Sequence, residues 1–171
     1  MSPNPRRGTP AGDATLQIRA LARRTGRDVQ DLTTLHVLES LLARVAASPY
    51  REDFVLKGGV LLAAFALRRP TRDVDLRASH LANDVEHVAA RIRDIAAISL
   101  PDGVVFDATS IRAAVIREDD AYAGIRVKLV GHLDQSIGRD TPCNSHANDP
   151  DQEPVMSSKL DVDVDRNEIL V

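Results

Sequence analysis

The chain has 171 residues, 43% apolar and 27% charged, proportions that suit a globular domain with its own core. Aromatics make up only 3% and Trp is absent, so Leu, Val, Ile and Ala must build that core, and base-stacking platforms are disfavoured. The net charge of −3 splits into −6 over residues 132–171 and +3 over the rest, too little to infer nucleic-acid binding from charge alone. One cysteine, Cys143, excludes an internal disulfide framework and fits a reducing compartment. There is no secretory h-region and no apolar run near ~18 residues, so the expectation is a cytoplasmic protein with no membrane span.

In chain order, residues 1–12 carry three prolines and two glycines and read as a flexible lead-in. Asp13 is the expected N-cap of a helix that runs to Thr25 and stops at Gly26. Leu32, Leu35, Leu38, Leu42 and Val45 recur at three- and four-residue steps, which predicts a second helix ending at Ser48-Pro49. Phe54-Val55-Leu56 reads as a short buried strand, and Val60–Leu67 as a core helix broken by Arg68-Arg69-Pro70. Arg72–Leu76 is the next strand. Leu81, Val85, Val88, Ile92 and Ile95 mark another helix, with Asp84 and Glu86 in its first turn. Pro101-Asp102-Gly103 is a turn. Strands are expected at Val104–Phe106, Ile111–Ile116 and Tyr122–Leu133; in the last, Ile125, Val127 and Leu129 alternate with Arg126, Lys128 and Val130, giving one wetter face. Residues 134–158 are polar and read as a disordered or loop-like insertion, before Leu160–Val164 alternates again.

The chemistry concentrates in Phe54-Val-Leu-Lys-Gly-Gly59 and Thr71-Arg-Asp-Val-Asp-Leu76. Asp73 and Asp75 lie two apart, on one face of an extended strand. Two adjacent carboxylates repel, and a divalent cation removes that cost; Mg²⁺ commonly takes one or two carboxylates together with substrate phosphates. Gly58 and Gly59 have no Cβ, so an anion can approach the backbone N–H groups closely. Lys57 either touches phosphate or is an exposed strand-end lysine. Thr71 shares the face of Asp73 and Asp75 if the strand starts early; its hydroxyl then lies near the metal, where an added negative charge would block triphosphate binding. A plain turn residue after Pro70 is the other reading of Thr71.

These segments, with Gly103-Val-Val-Phe-Asp107 and the run from Ile116 to Val127 containing Tyr122-Ala-Gly-Ile-Arg-Val127, resemble the AbiEii/AbiGii family of nucleotidyltransferase toxins over roughly residues 15–133. The resemblance implies an α+β fold of the DNA polymerase β-like nucleotidyltransferase type: a small mixed sheet with packed helices and N-terminal helices leading in, the single domain spanning 13–171. It implies Mg²⁺-dependent transfer of a nucleoside monophosphate from a nucleoside triphosphate to RNA, notably a tRNA 3′ end, or to a protein. A cognate antitoxin is the implied partner, within a toxin–antitoxin or phage-defence pair. Gly58 and Gly59 would contact the triphosphate, and Asp73 and Asp75 would bind metal and serve catalysis.

Folds of this kind need a third carboxylate on a neighbouring strand. Leu160-Asp-Val-Asp-Val164 has the required pattern and points to Asp163, although Asp161 and Asp165 share its face. Family members usually continue into a helical region bearing a phosphate-neutralising lysine, which this sequence does not show. The competing expectation is therefore a truncated, inactive remnant that only binds the antitoxin. Asp161-x-Asp-x-Asp-x-Asn167 has EF-hand-like spacing but Arg166 stands where glycine is needed. Cys143 and His146 make a poor zinc site in a loose loop. His36 reads as packed or surface-facing, and the N-terminal arginines as a solvated face.

Overall fold

A computed structural model of the chain describes residues 5–57, 73–78, 84–117, 123–133 and 157–166. Within these, side chains are not described for residues 56, 57, 73–75, 77, 78, 117, 123, 157, 158 and 163–166, whose positions are given by backbone register alone. The elements are α1 (Pro10–Thr25), α2 (Val29–Ala47), β1 (Phe54–Lys57), β2 (Asp73–Ala78), α3 (Val85–Ala96), β3 (Val104–Arg117), β4 (Ala123–Leu133) and β5 (Ser157–Arg166).

The first helix starts earlier than Asp13. Thr9 caps it, accepting from the Gly12 N–H at 3.1 Å, and Pro10 takes the first turn, where its missing N–H costs nothing. Residues 10–12, read from sequence as lead-in, are thus helical. Asp13 serves from inside the helix by accepting the Gly8 N–H at 3.0 Å. Gly26, at φ 69°, ends the helix as expected. Asp28 caps α2, accepting from the Gln30 and Asp31 N–H groups, and Asp84 caps α3 rather than lying inside its first turn.

The five strands form one mixed sheet in the order β1-β2-β5-β4-β3, so the fold is the α+β arrangement expected. β2 and β5 run parallel; every other neighbouring pair is antiparallel. The last strand in sequence therefore sits at the centre of the sheet. One face of β4 and β5 is buried, through Ile125, Val127, Leu129, Leu133, Leu160 and Val162, and the helices pack on that face. The alternate positions Arg126, Val130 and His132 are half-buried and Lys128 is exposed. The expected wetter face of β4 is present.

Two strand expectations change. Phe54-Val55-Leu56 is the edge strand β1, not a buried one: with β2 as its single neighbour, it buries Phe54 but leaves Val55 51% exposed. Val104–Phe106 and Ile111–Ile116 join as the 14-residue β3, with a register shift between Asp107 and Arg112. That irregularity is held locally. Asp107 accepts from the Thr109 N–H and hydroxyl at 2.8 and 2.6 Å, and the Ser110 hydroxyl donates to Asp107 O while accepting from the Val130 N–H. The helix expected at 60–67 lies outside the described residues, as does the 134–158 insertion apart from 157–158, which open β5.

Gly103 shows where the turn before β3 tolerates no side chain. It sits at φ 75°, and a Cβ there would lie 2.3 Å from the Ala11 backbone nitrogen. Since the neighbour is backbone, nothing can swing aside. Gly103→Ala is expected to cost at least about 2 kcal/mol, from the left-handed strain plus the displaced α1, read as a shifted denaturant midpoint with unchanged slope.

Candidate active site

Alternation along β2 puts Leu76 on the helix-covered face, 2% exposed, and therefore Asp73 and Asp75 on the opposite, open face of the sheet. The same rule places Asp161 and Asp163 of β5 there, since Leu160 and Val162 are buried. In the parallel β2–β5 ladder, Asp73 pairs with Asp161 and Asp75 with Asp163. Adjacent strands lie about 4.8 Å apart, so four acidic positions gather on two neighbouring strands. Like charges directly opposite one another are destabilising.

Cationic positions border them. Reading across the sheet, one row runs Lys57, Asp75, Asp163, Arg126, and the next runs Asp73, Asp161, Lys128, Arg112. Asp161 forms an ion pair with Lys128, its Oδ1 3.8 Å from Nζ. Asp165 stands opposite Arg77. Of the three acidic positions on β5, Asp163 is the one that faces Asp75. Among the side chains described, no group of three or more His, Cys, Asp or Glu gathers as a metal site; Asp73, Asp75 and Asp163 are not in that set. Gly58, Gly59 and Thr71 lie outside the described residues, as do Cys143 and His146.

The sequence reading passed over Arg126, Lys128 and Arg112 as parts of this face. Their alternation with Ile125, Val127 and Ala113 was visible, but not the strand beside them. It also passed over Arg44. This arginine is 2% exposed on α2, where Nε donates to Ile98 O at 2.8 Å and Nη2 to Val104 O at 2.8 Å. Nη1 reaches Asp102 Oδ2 at 2.7 Å, and the guanidinium lies 5.1 Å from the Phe106 ring centre. Ser40 Oγ also donates to Asp102. The network ties α2 to the turn before β3 and is structural. His36 joins its edge, with Nε2 3.3 Å from Asp102 O, in keeping with a packed histidine.

Burial alone would raise the Asp102 carboxyl. Hydrogen bonds from Arg44, Ser40 and the Val104 N–H, with the charge of Arg44, outweigh that and hold it below its ordinary 3.8. A carboxyl depressed in the folded state stabilises above its unfolded value and loses that contribution as pH falls through the folded one. Stability is thus expected to drop as pH falls below about 3.8, and Asp102→Asn should remove that part of the acid sensitivity. Denaturant melts of both proteins between neutral and acid pH check this. Asp107 is lowered as well, chiefly by the Thr109 hydroxyl, but it is largely solvated.

A groove of about 480 Å³ is lined by Leu42, Val45, Ala46, Arg51, Glu52, Phe54 and Leu76. It opens on the helix side of β2, across the sheet from Asp73 and Asp75, so it is not part of the carboxylate face. No described helix is long and apolar enough to cross a membrane.

Comparison with known proteins gives one match. The family described as "Nucleotidyl transferase AbiEii toxin, Type IV TA system" matches residues 40–163, well over half of the chain. No curated protein and no solved structure matches.

Proposed function

The chain belongs to the AbiEii nucleotidyltransferase toxin family of type IV toxin–antitoxin systems, and on that premise we propose that it transfers a nucleoside monophosphate from a nucleoside triphosphate to an acceptor RNA, notably a tRNA 3′ end, in the cytoplasm. A protein hydroxyl is the other acceptor class. Its activity is countered by the antitoxin of the pair. The observation that carries the reading is the β2–β5 register: Asp75 opposite Asp163, with Asp73 two residues along the same strand.

The donor set fits the cofactor. Carboxylate oxygens are hard ligands, and clustering them without a cation is unfavourable, which is the chemistry Mg²⁺ sites use. Asp73, Asp75 and Asp163 would hold Mg²⁺. Bound there, the ion neutralises phosphate charge and stabilises the entering and leaving oxygens of an in-line displacement.

The protein's own groups do the rest. Asp163 takes the proton of the acceptor hydroxyl as that oxygen attacks the α-phosphorus. Gly58 and Gly59, directly after β1, seat the triphosphate by their backbone N–H groups, with Lys57 beside them. Thr71 lies close enough for an added negative charge to block that seat. Positioning and charge stabilisation supply most of the catalysis in phosphoryl transfer, so a rigid sheet is a suitable support for the carboxylates.

The test is incubation of the purified chain with labelled nucleoside triphosphates, Mg²⁺ and tRNA, beside Asp73→Ala. Label on the tRNA from wild type alone supports the proposal. No transfer by the folded wild type with any nucleotide rejects it, and co-purification with the antitoxin in that case points to a binding role.

A further inference from the structure

The open face of the sheet is divided by charge. Asp73, Asp75, Asp161 and Asp163 occupy β2 and β5, whereas Arg126, Lys128 and Arg112 occupy β4 and β3. Arg112 and Lys128 are direct cross-strand partners, so two cations face each other in the ladder. Such a pair is unfavourable unless something anionic joins it. Asp161 does so only loosely: its contact with Lys128 is 3.8 Å, longer than a hydrogen bond, and the lysine side chain stays 65% exposed. Arg112 is exposed too, but not loose. Its Nη1 donates to Thr109 O at 2.7 Å and Ile111 O at 2.9 Å, which pins the guanidinium against the irregular part of β3. A fixed guanidinium beside a mobile ammonium suits a phosphate group.

We propose that Arg112 and Lys128 form a phosphate subsite for the backbone of the acceptor RNA, separate from the seat of the triphosphate. The strand order carries the assignment. Gly58 and Gly59 follow β1, at one side of the β2–β5 carboxylates, and Arg112 and Lys128 lie at the other. In an in-line displacement the entering oxygen and the departing pyrophosphate leave phosphorus in opposite directions. If the glycines seat the triphosphate, the acceptor approaches over β4 and β3. The inference rests on the transferase reading above and adds to it the residues that hold the acceptor.

Fluorescence anisotropy of a short labelled single-stranded RNA, titrated with the full chain at several salt concentrations, tests it beside calorimetry with each common Mg–nucleoside triphosphate. Arg112→Gln with Lys128→Gln should weaken RNA binding at least about tenfold and flatten the slope of log affinity against log salt by about 1.4, or 0.7 per lost phosphate contact. Triphosphate binding should not change, and Lys128→Arg should bind RNA as wild type does. Because Arg112 also braces β3, Lys128→Gln alone, with its melting temperature checked, carries the test if the double variant unfolds. Undiminished RNA binding by the folded variants overturns the proposal. So does an equal loss of triphosphate binding, which would assign these cations to the nucleotide, and so does the absence of RNA binding by wild type. The transferase reading fails separately, through label transfer that survives Asp75→Asn.

Discussion

Asp75→Asn is expected to lower nucleotidyl transfer by about a thousandfold while leaving the protein at least as stable as wild type. Asp75 holds the middle of the acidic group, between Lys57 on β1 and Asp163 on β5. Asparagine keeps the shape and loses the charge that a cation requires. Forfeiting about 4 kcal/mol of charge stabilisation in the displacement corresponds to that factor. Stability should move the other way, because removing one of two opposed carboxylates relieves a cross-strand repulsion of roughly 0.2–1 kcal/mol. Label transfer and thermal melts, the melts run without divalent cations, check both halves. A melting temperature several degrees lower, matching the lost activity, would mean that Asp75 serves the sheet rather than the chemistry.

Asp102→Ala should produce the largest stability loss. It strips the only carboxylate from Arg44, leaving a cation buried at 2% exposure with carbonyl partners and the face of Phe106. Breaking a buried pair on one side costs about 3–5 kcal/mol, far more than the intact pair is worth. For a domain of this size that is roughly 10 °C in melting temperature. Arg44→Met should be milder, since it removes the charge and fills part of the space. Combining the two should cost little more than Asp102→Ala alone, because the partners act as a unit. Additive losses in calorimetric melts would show that Arg44 and Asp102 contribute independently.

Local features were readable from sequence where one segment decides them. Gly26 as a helix stop, the α3 stripe and the alternation of β4 depend on neighbours within a few residues. Asp73 and Asp75 sharing a face is likewise a property of one strand. What pairs with that strand is not local. Nothing in residues 157–166 says that they enter the centre of the sheet, between β2 and β4, because the partners are far apart in the chain. Arg44 fails for the same reason. In an amphipathic helix pattern an arginine marks the wet side, yet here the turn at Asp102 supplies the charge that permits burial. The start of α1 was misplaced because Pro10 looks like a helix breaker, although at the first position it fits the helix.

The account depends on β2 and β5 jointly presenting one cation site. Manganese binding to the purified chain, followed by electron paramagnetic resonance, tests this directly with wild type, Asp75→Asn, Asp163→Asn and Asp161→Asn. The account predicts that the Asp75 and Asp163 variants each bind Mn²⁺ at least about tenfold more weakly, and that Asp161→Asn, whose carboxylate already faces Lys128, stays near wild type. Full Mn²⁺ affinity in Asp163→Asn would contradict it.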